Sequence, residues 1–415
     1  MSDLGTFEDI AVINPQTPSA SQGENVSFVA MAGLSEQGRL DEVTVRNAVP
    51  GYTPFVEGDV LVAKITPCLE NGKGAHARHL PIPLAQGSTE FHVLRARSGT
   101  SDRYLYHLTR TDRFRRRAEA LMTGSAGQRR VPAEFFCRYE IRVPPLEEQQ
   151  RIAEILDTMD EAIQATEGVI AKHKLIRTGI VAVLLAGNPV GLLPSANREP
   201  TDTPPSAVSD GTKQPPAISE WPQHELGQIG VVVGGGTPSR ERTEYWGGPI
   251  PWLTPSELTK EHSKFVYETQ DRMSELGLAA SGARLLPVGS LLITSRASIG
   301  FCALAGVSMA TNQGFKSLLP SDVVDPSYLY YVGQTLGREM TRRASGTTFL
   351  EISGSEFKRI EIPLPPLDEQ RRIAGVLDTV DEVIRAHRRQ LAKLRKLRGG
   401  LAADLLSGRV RTVVA

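Results

Sequence analysis

The stretch PPLEEQQRIAEILDTMDEAIQATEGVIAKHKLIRTGIVAVLLAG, residues 144–187, decides how the rest of the chain is read, because it recurs. Residues 365–408 read PPLDEQRRIAGVLDTVDEVIRAHRRQLAKLRKLRGGLAADLLSG. The second copy follows at a constant offset of 221 positions with no insertion, and 23 of the 44 aligned positions are identical. A match of that length makes the protein a tandem duplication of two units.

Each copy spells a long helix. Two prolines precede it, where a missing N–H costs nothing, and Glu147/Glu148 or Asp368/Glu369 suit the positive end of the helix dipole. Apolar positions then alternate steps of four and three. The first copy gives Ile152, Leu156, Met159, Ile163, Thr166, Ile170, His173, Arg177, Ile180 and Leu184. The second gives Ile373, Leu377, Val380, Ile384, His387, Leu391, Leu394, Arg398, Leu401 and Leu405. This is a heptad seam, and a heptad seam calls for a partner helix. Forty helical residues span roughly 60 Å, too long for one face of an ordinary domain. Gly179 and Gly399–Gly400 are expected to fray or bend the helices near their ends. The first copy holds 4 Lys/Arg against 7 Asp/Glu and the second 9 against 6, so the helices carry net charges of −3 and +3. Opposite signs fit pairing with each other inside one chain, although solvated faces drift in charge as well.

The 415 residues suit two to three domains, and 47 basic against 47 acidic residues leave no global field for nucleic acid or membrane. Cys68, Cys137 and Cys302 stand singly, which indicates neither a disulfide framework nor a zinc knuckle and fits a reducing, cytoplasmic setting. No basic n-region opens the chain and no apolar run approaches 18 residues, so neither a signal peptide nor a membrane span is expected.

Residues 1–143 read as a mixed domain with strands at Val26–Met31, Asp59–Ile65 and Glu90–Leu94 and a helix from Asp102 to about Leu121. Residues 188–222 hold 8 of the 28 prolines without periodicity, so 188–220 is read as a linker. A second mixed domain follows over 221–364. Ser88–Phe91 aligns with Asn312–Phe315 and Tyr104–Tyr106 with Tyr328–Tyr330 at one shared offset of 224, and Gly58 aligns with Gly289. Between these anchors the two globular parts differ widely. A common frame carrying two different specificities is the implication.

These motifs resemble the DNA-specificity subunit of type I restriction–modification systems. The carriers are PPLEEQQRIAEILDTMD and PPLDEQRRIAGVLDTVD, each after a strand end (YEIRV, RIEIPL). The second unit adds GGGTPSR, EYWGGPIPWLTPSEL, SRASIG, TNQGF, YLYY and SGTTFLEI, and the first adds KITPCLENGKGA, QGSTEFHVLR and YLYH. The first unit departs from the pattern at its start, FEDIAVINPQTPS. The resemblance implies an α+β fold: two α/β target-recognition domains (1–143 and 221–364) separated by two antiparallel coiled-coil spacer helices (144–187 and 365–408). It implies that each domain reads one half of a split double-stranded DNA target while the helices set the gap and dock two methylase subunits. Restriction subunits join that assembly. The resemblance also implies no catalytic site on this chain and no cofactor of its own, with S-adenosylmethionine, ATP and Mg on partner subunits.

Direct search for chemistry agrees. Gly234–Gly236 lacks GxGxxG spacing and reads as a flexible turn before Pro238, and no GxxxxGK[ST] occurs. His76 and His79 have no third ligand nearby and read as surface histidines. Residues able to reach phosphates or base edges are Thr237, Ser239, Arg240 and Arg242 in a Gly/Pro-rich loop, Arg296 and Ser298 after a strand, and Asn312 and Gln313 before another. In the first unit they are Lys64, Thr66, Asn71 and Lys73 after a strand, with Arg113 and Arg116 in the basic run RTDRFRRR. Each is equally readable as a solvated loop or helix side chain, and Asn312 and Gln313 as turn-stabilising groups. The tyrosine triplets are read as packing their helix into the domain. Two other function classes compete: an autonomous DNA methylase or nuclease, which lacks its motifs here, and a coiled-coil scaffold without DNA, which leaves the divergent globular parts unexplained.

Overall fold

The computed structural model describes residues 4–185 and 221–412, apart from positions 19, 22, 126, 261–262 and 347–349 and the side chains of 183–185. The linker expected at 188–220, positions 186–187 of the first repeat and positions 347–349 of SGTTFLEI lie outside the described residues. The chain divides into two compact units, Met1–Val169 with His387–Ala415, and Ile170–Ala386. Each unit therefore holds one globular part and a segment of both repeated helices.

The repeats form helices Leu146–Leu185 and Leu367–Ser407. All described seam positions are buried or half-buried, with Ile152, Leu156, Ile373 and Leu377 at most 1% exposed and Met159, Ile163 and Val380 half-buried. In the first unit Asp160 pairs with Arg398 and Glu167 with Arg395. The first member of each pair advances while the second retreats, so the two segments run antiparallel. In the second unit Arg177 pairs with Asp381 at 2.6 Å, and Ile180 and Val181 pack on the core holding Ile373, Ala374 and Leu377. That order is again antiparallel. Asp160–Arg398 and Glu167–Arg395 follow the opposite net charges of the helices, while Arg177–Asp381 has its cation on the acidic helix.

Both helices run unbroken through Gly179 and Gly399–Gly400. A helical glycine costs about 1 kcal/mol relative to alanine. Burial of Ala402, Leu405 and Leu406 beyond Gly399–Gly400, and packing of Ile180 and Val181 beyond Gly179, outweighs that cost.

The first globular part has two four-stranded sheets. One runs Ala11–Ile13, Phe91–Ala96, Val60–Ala63, Gly74–His76, and the other Thr44–Asn47, Asn25–Val29, Leu84–Gly87, Thr53–Val56. In the latter, Asn25–Val29 and Leu84–Gly87 are parallel, with Phe28 opposite Gln86. The expected strand Val26–Met31 stops at Val29 because Met31–Gly33 turns as a 3-10 helix. The expected helix from Asp102 to Leu121 is two helices, Asp102–Thr109 and Asp112–Ala120. The Thr111 hydroxyl accepts the Phe114 N–H and caps a new N-terminus, which ends the first helix at Arg110.

The second globular part repeats the plan with a five-stranded sheet (Gly230–Gly234, Lys316–Pro320, Leu291–Ile293, Cys302–Ala305, Phe265–Val266) and a three-stranded one (Asp271–Met273, Trp246–Leu253, Ala310–Thr311). Trp246–Leu253 and Ala310–Thr311 are parallel, with Trp252 opposite Ala310. Gln86 and Ala310 lie 224 apart, so Phe28 and Trp252 occupy the same place in the two plans.

Each globular part is fastened to its long helix, and to the strand that leads into it, by matching bonds. The Tyr104 hydroxyl donates to the Arg142 carbonyl at 2.8 Å, and the Tyr328 hydroxyl to the Pro363 carbonyl at 2.7 Å. Gln149 accepts from Ser101 N–H and donates to the Pro144 carbonyl, and Gln370 does the same with Asp325 and Pro365. The tyrosine triplets are buried, as the packing reading requires.

Candidate nucleic-acid interface

In the second unit three segments converge on the turn Asn312–Gly314. The Gly236 N–H donates to the Thr311 carbonyl, and Ser295 N–H to the Gly314 carbonyl. A Cβ on Gly235 would strike the Asn312 backbone, and one on Gly236 the backbone of Gly282 and Ala283. Gly235 and Gly236 are therefore close-approach residues held in place, which corrects their reading as a flexible turn.

The predicted contact residues of this unit fall around that junction. Thr237 donates to the Gln313 side chain, and the Ser239 carbonyl accepts the Trp246 indole N–H at 3.0 Å. Asn312 Oδ1 accepts the Gly314 N–H at 2.8 Å, a turn-stabilising role. Arg240 bonds Asp271 at 2.6 Å, while Arg242 is 64% exposed with a long contact to Glu244. Arg296 bridges Glu351 through its backbone, and Ser298 is exposed. Thr237, Ser239, Arg240 and Gln313 share one exposed surface. Arg296 and Ser298 lie on the neighbouring turn.

In the first unit Lys64 corresponds to Ser295, because its N–H donates to the Glu90 carbonyl as Ser295 does to Gly314. Thr66 donates to Glu70 at 2.8 Å and Lys73 to the Met31 carbonyl at 3.2 Å, so both are tied into the fold. Asn71 is exposed on the same loop. The Arg130 guanidinium bonded to Glu90 at 2.9 Å holds that carboxyl below the usual range, leaving an ionised pair beside Lys64. The basic run spans the break between helices Asp102–Thr109 and Asp112–Ala120. Arg110 donates to the Gly72 and Glu36 carbonyls behind the Lys73 loop. Arg113 and Arg116 line, together with Arg110, a groove of about 560 Å³ with Tyr139, Ala402 and Leu406. They are not brought together with Lys64. Arg342 and Arg343, their basic counterparts in the second unit, both pair with Glu339.

His76 is buried on strand Gly74–His76, with Nε2 2.8 Å from Asp102 at a helix N-terminus. Its reading as a surface histidine is corrected, while His79 is exposed. Among the described residues no group of three His, Cys, Asp or Glu is placed to hold a metal, and no helix is long and apolar enough to cross a membrane.

Two units with one fastening scheme and dissimilar loop surfaces match a single family description twice. The model for the type I restriction modification DNA specificity domain matches residues 47–173 and again 218–396, well over half of the chain. The chain belongs to that family. Within the specificity-domain family it is 38% identical over 180 residues to the type I restriction enzyme MjaIX specificity subunit of Methanocaldococcus jannaschii, covering 43% of this chain and 42% of that relative. It is 34% identical over 188 residues to the EcoEI specificity subunit of Escherichia coli, covering 43% and 32%. These alignments span less than half the length of either relative. Among solved structures, a chain from a study of complex assembly and conformational transition of the type I R-M system is similar over 98% of both chains, at 20% identity and a TM-score of 0.57. The type-I restriction-modification system S subunit from M. genitalium is similar over 97% of this chain and 95% of its own, at 14% identity and a TM-score of 0.56. These likenesses show the fold.

Sequence reasoning about this specificity-domain protein missed its aromatic groups. Arg46 stacks 3.2 Å from the Phe28 ring centre and 4.4 Å from that of Tyr52, and those two rings meet edge-on at 5.0 Å. Arg240 stacks 3.8 Å from Trp246 and 5.0 Å from Trp252, which meet edge-on at 4.9 Å. The available signal was an aromatic residue beside a glycine, Gly51-Tyr52 and Trp246-Gly247.

Proposed function

We propose that this chain is the DNA-reading subunit of a type I restriction–modification complex. Each globular part reads one half of a bipartite double-stranded target, the long helices set the gap, and two methylase subunits and restriction subunits assemble on the frame. The observation that carries this reading is the combination of repeated fastening with divergent loops. Tyr104 and Tyr328, Gln149 and Gln370, and the ion pairs of Arg398 and Arg177 keep one scheme. The exposed loops share almost no side chains. A frame held constant under two different surfaces suits two readers of different sequence. Thr237, Arg240, Arg242 and Gln313 supply phosphate and base-edge donors in the second reader, and Lys64 and Asn71 in the first. Methyl transfer, with S-adenosylmethionine, and ATP- and Mg-dependent steps belong to the partner subunits in this reading, and none is assigned to this chain.

The test is selection of bound duplexes from a randomised library by the full chain co-purified with its methylase subunits. A split consensus with a fixed gap is expected. Methyl transfer by the purified chain alone, or binding without a consensus, would contradict the reading.

A further inference from the structure

We propose that an arginine laid on an edge-on aromatic pair is the specificity-determining group of each unit, Arg46 in the first and Arg240 in the second. The inference rests on the DNA-reading function proposed above and names where that reading occurs.

The place is the same in both units although the residues are not. Phe28 and Trp252 are matched by backbone register, each on the strand that pairs in parallel with the segment ahead of the aligned Ser88 and Asn312 turns. A second ring then arrives from a different direction, Tyr52 from the turn before strand Thr53–Val56 and Trp246 from the start of its own strand. The arginines differ in origin too. Arg46 sits on strand Thr44–Asn47 opposite Val26, whereas Arg240 comes from the glycine-rich loop. Two units that share few loop residues thus build one arrangement around a matched ring, taking the second ring and the arginine from unrelated positions. Inherited packing would have kept all three positions.

The arrangement suits recognition. A guanidinium flat on a ring has surrendered its rotamer freedom before any ligand arrives, so its remaining N–H donors are presented in a fixed direction. Arg240 is steadied further by Asp271, the register partner of Trp252. The first unit has Thr44 opposite Phe28 at that place, and Arg46 makes no ion pair among the described residues. Its Nε and Nη2 are buried without an acceptor. An unneutralised guanidinium beside aromatic rings is costly unless an acceptor completes it. Next to Tyr52 lies a recess of about 360 Å³ lined also by Asn14, Thr53 and Lys64, which gives a nucleic-acid group room to approach. The ligand chemistry is an oxygen or nitrogen acceptor edge. A base edge such as guanine O6 and N7 and a backbone phosphate both offer it, and they separate by experiment: a base contact alters sequence preference at one position, a phosphate contact weakens all sequences alike.

The test repeats the duplex selection with the full chain and its methylase subunits, using Arg46→Gln, Arg46→Lys and Arg240→Gln. Arg46→Lys keeps the charge and removes the planar stack, so it controls for loss of fold. A roughly tenfold loss of preference is expected at one or more positions of one half-target for both Arg46 variants, and in the other half-target for Arg240→Gln. An unchanged consensus in all three variants, or a uniform loss of affinity across sequences, overturns the inference while leaving the split target standing. A wild-type complex with no split consensus overturns the function itself.

Discussion

At the position where the second unit carries Tyr331, the first carries His107. Both touch the same repeated aspartate. His107 Nε2 lies 2.8 Å from Asp157, and the Tyr331 hydroxyl donates to Asp378 at 2.7 Å and to Asp381 at 3.1 Å. Arg103 completes the first cluster through a 2.9 Å bond to Asp157, and Lys264 completes the second by pairing with Asp378. The cations are supplied from unrelated places, a helix in one unit and the bend before strand Phe265–Val266 in the other. The carboxylates on the long helix are the fixed part, and each globular part meets them with its own donors. Only the first cluster contains a histidine.

The tautomer follows from geometry. Arg398 Nη2 is 3.3 Å from His107 Nδ1 and can only donate, so Nδ1 accepts and Nε2–H donates to Asp157. Burial pushes the His107 pKa down despite that bond, keeping the ring neutral. Against the burial that would raise it, hydrogen bonds from His107 and Arg103 hold the Asp157 carboxyl well below the usual carboxylate range.

Three changes test how far the likeness extends. The largest effect is expected where the units are most alike. Leu156→Ala and Leu377→Ala each remove a seam side chain at most 1% exposed, and each should cost about 3 kcal/mol in denaturant unfolding. A large difference between them would mean that the seams are not equivalent. The next effect should separate the units. Asp157→Ala strands a buried histidine and Arg103, whereas Asp378 is 42% exposed against 22% for Asp157. Asp157→Ala should cost about 2 kcal/mol and Asp378→Ala about half that. Equal costs would remove the asymmetry. The smallest effect is pH dependence. Because the folded His107 pKa is depressed, the unfolded chain binds more protons as the pH falls below about 6.5, so this contribution to stability is present above that value and fades on acidification. His107→Gln should flatten the slope in that window. An unchanged slope would show that another group sets it. The Asp157 contribution is lost only in a lower window, as pH falls through its folded pKa.

Much of this frame was legible in the sequence. Identity at a fixed offset exposed the duplication, and steps of three and four placed Ile152 and Ile373 in the seam, because heptad periodicity is local and survives without tertiary information. The break at Thr111 was also legible, since Thr111-Asp112 repeats the cap-and-acid pattern of Ser101-Asp102, but the continuous helical composition on both sides masked it. What the sequence left dark depends on distant partners. Gly235 and Gly236 read as a loose turn until the backbones of Asn312 and Gly282 were seen against them. His76 read as exposed until Asp102, 26 residues away, was found on its ring. Arg46 drew no notice because its significance lies in two rings from other segments.

The central claim is that one repeated frame carries two independent readers. Its most direct test is exchange of residues 221–364 for the corresponding domain of a related specificity subunit, followed by methylome sequencing of cells expressing the chimera with its methylase. The account predicts that one half of the methylated target changes while the other half and the gap stay as they were. A change in both halves would contradict it.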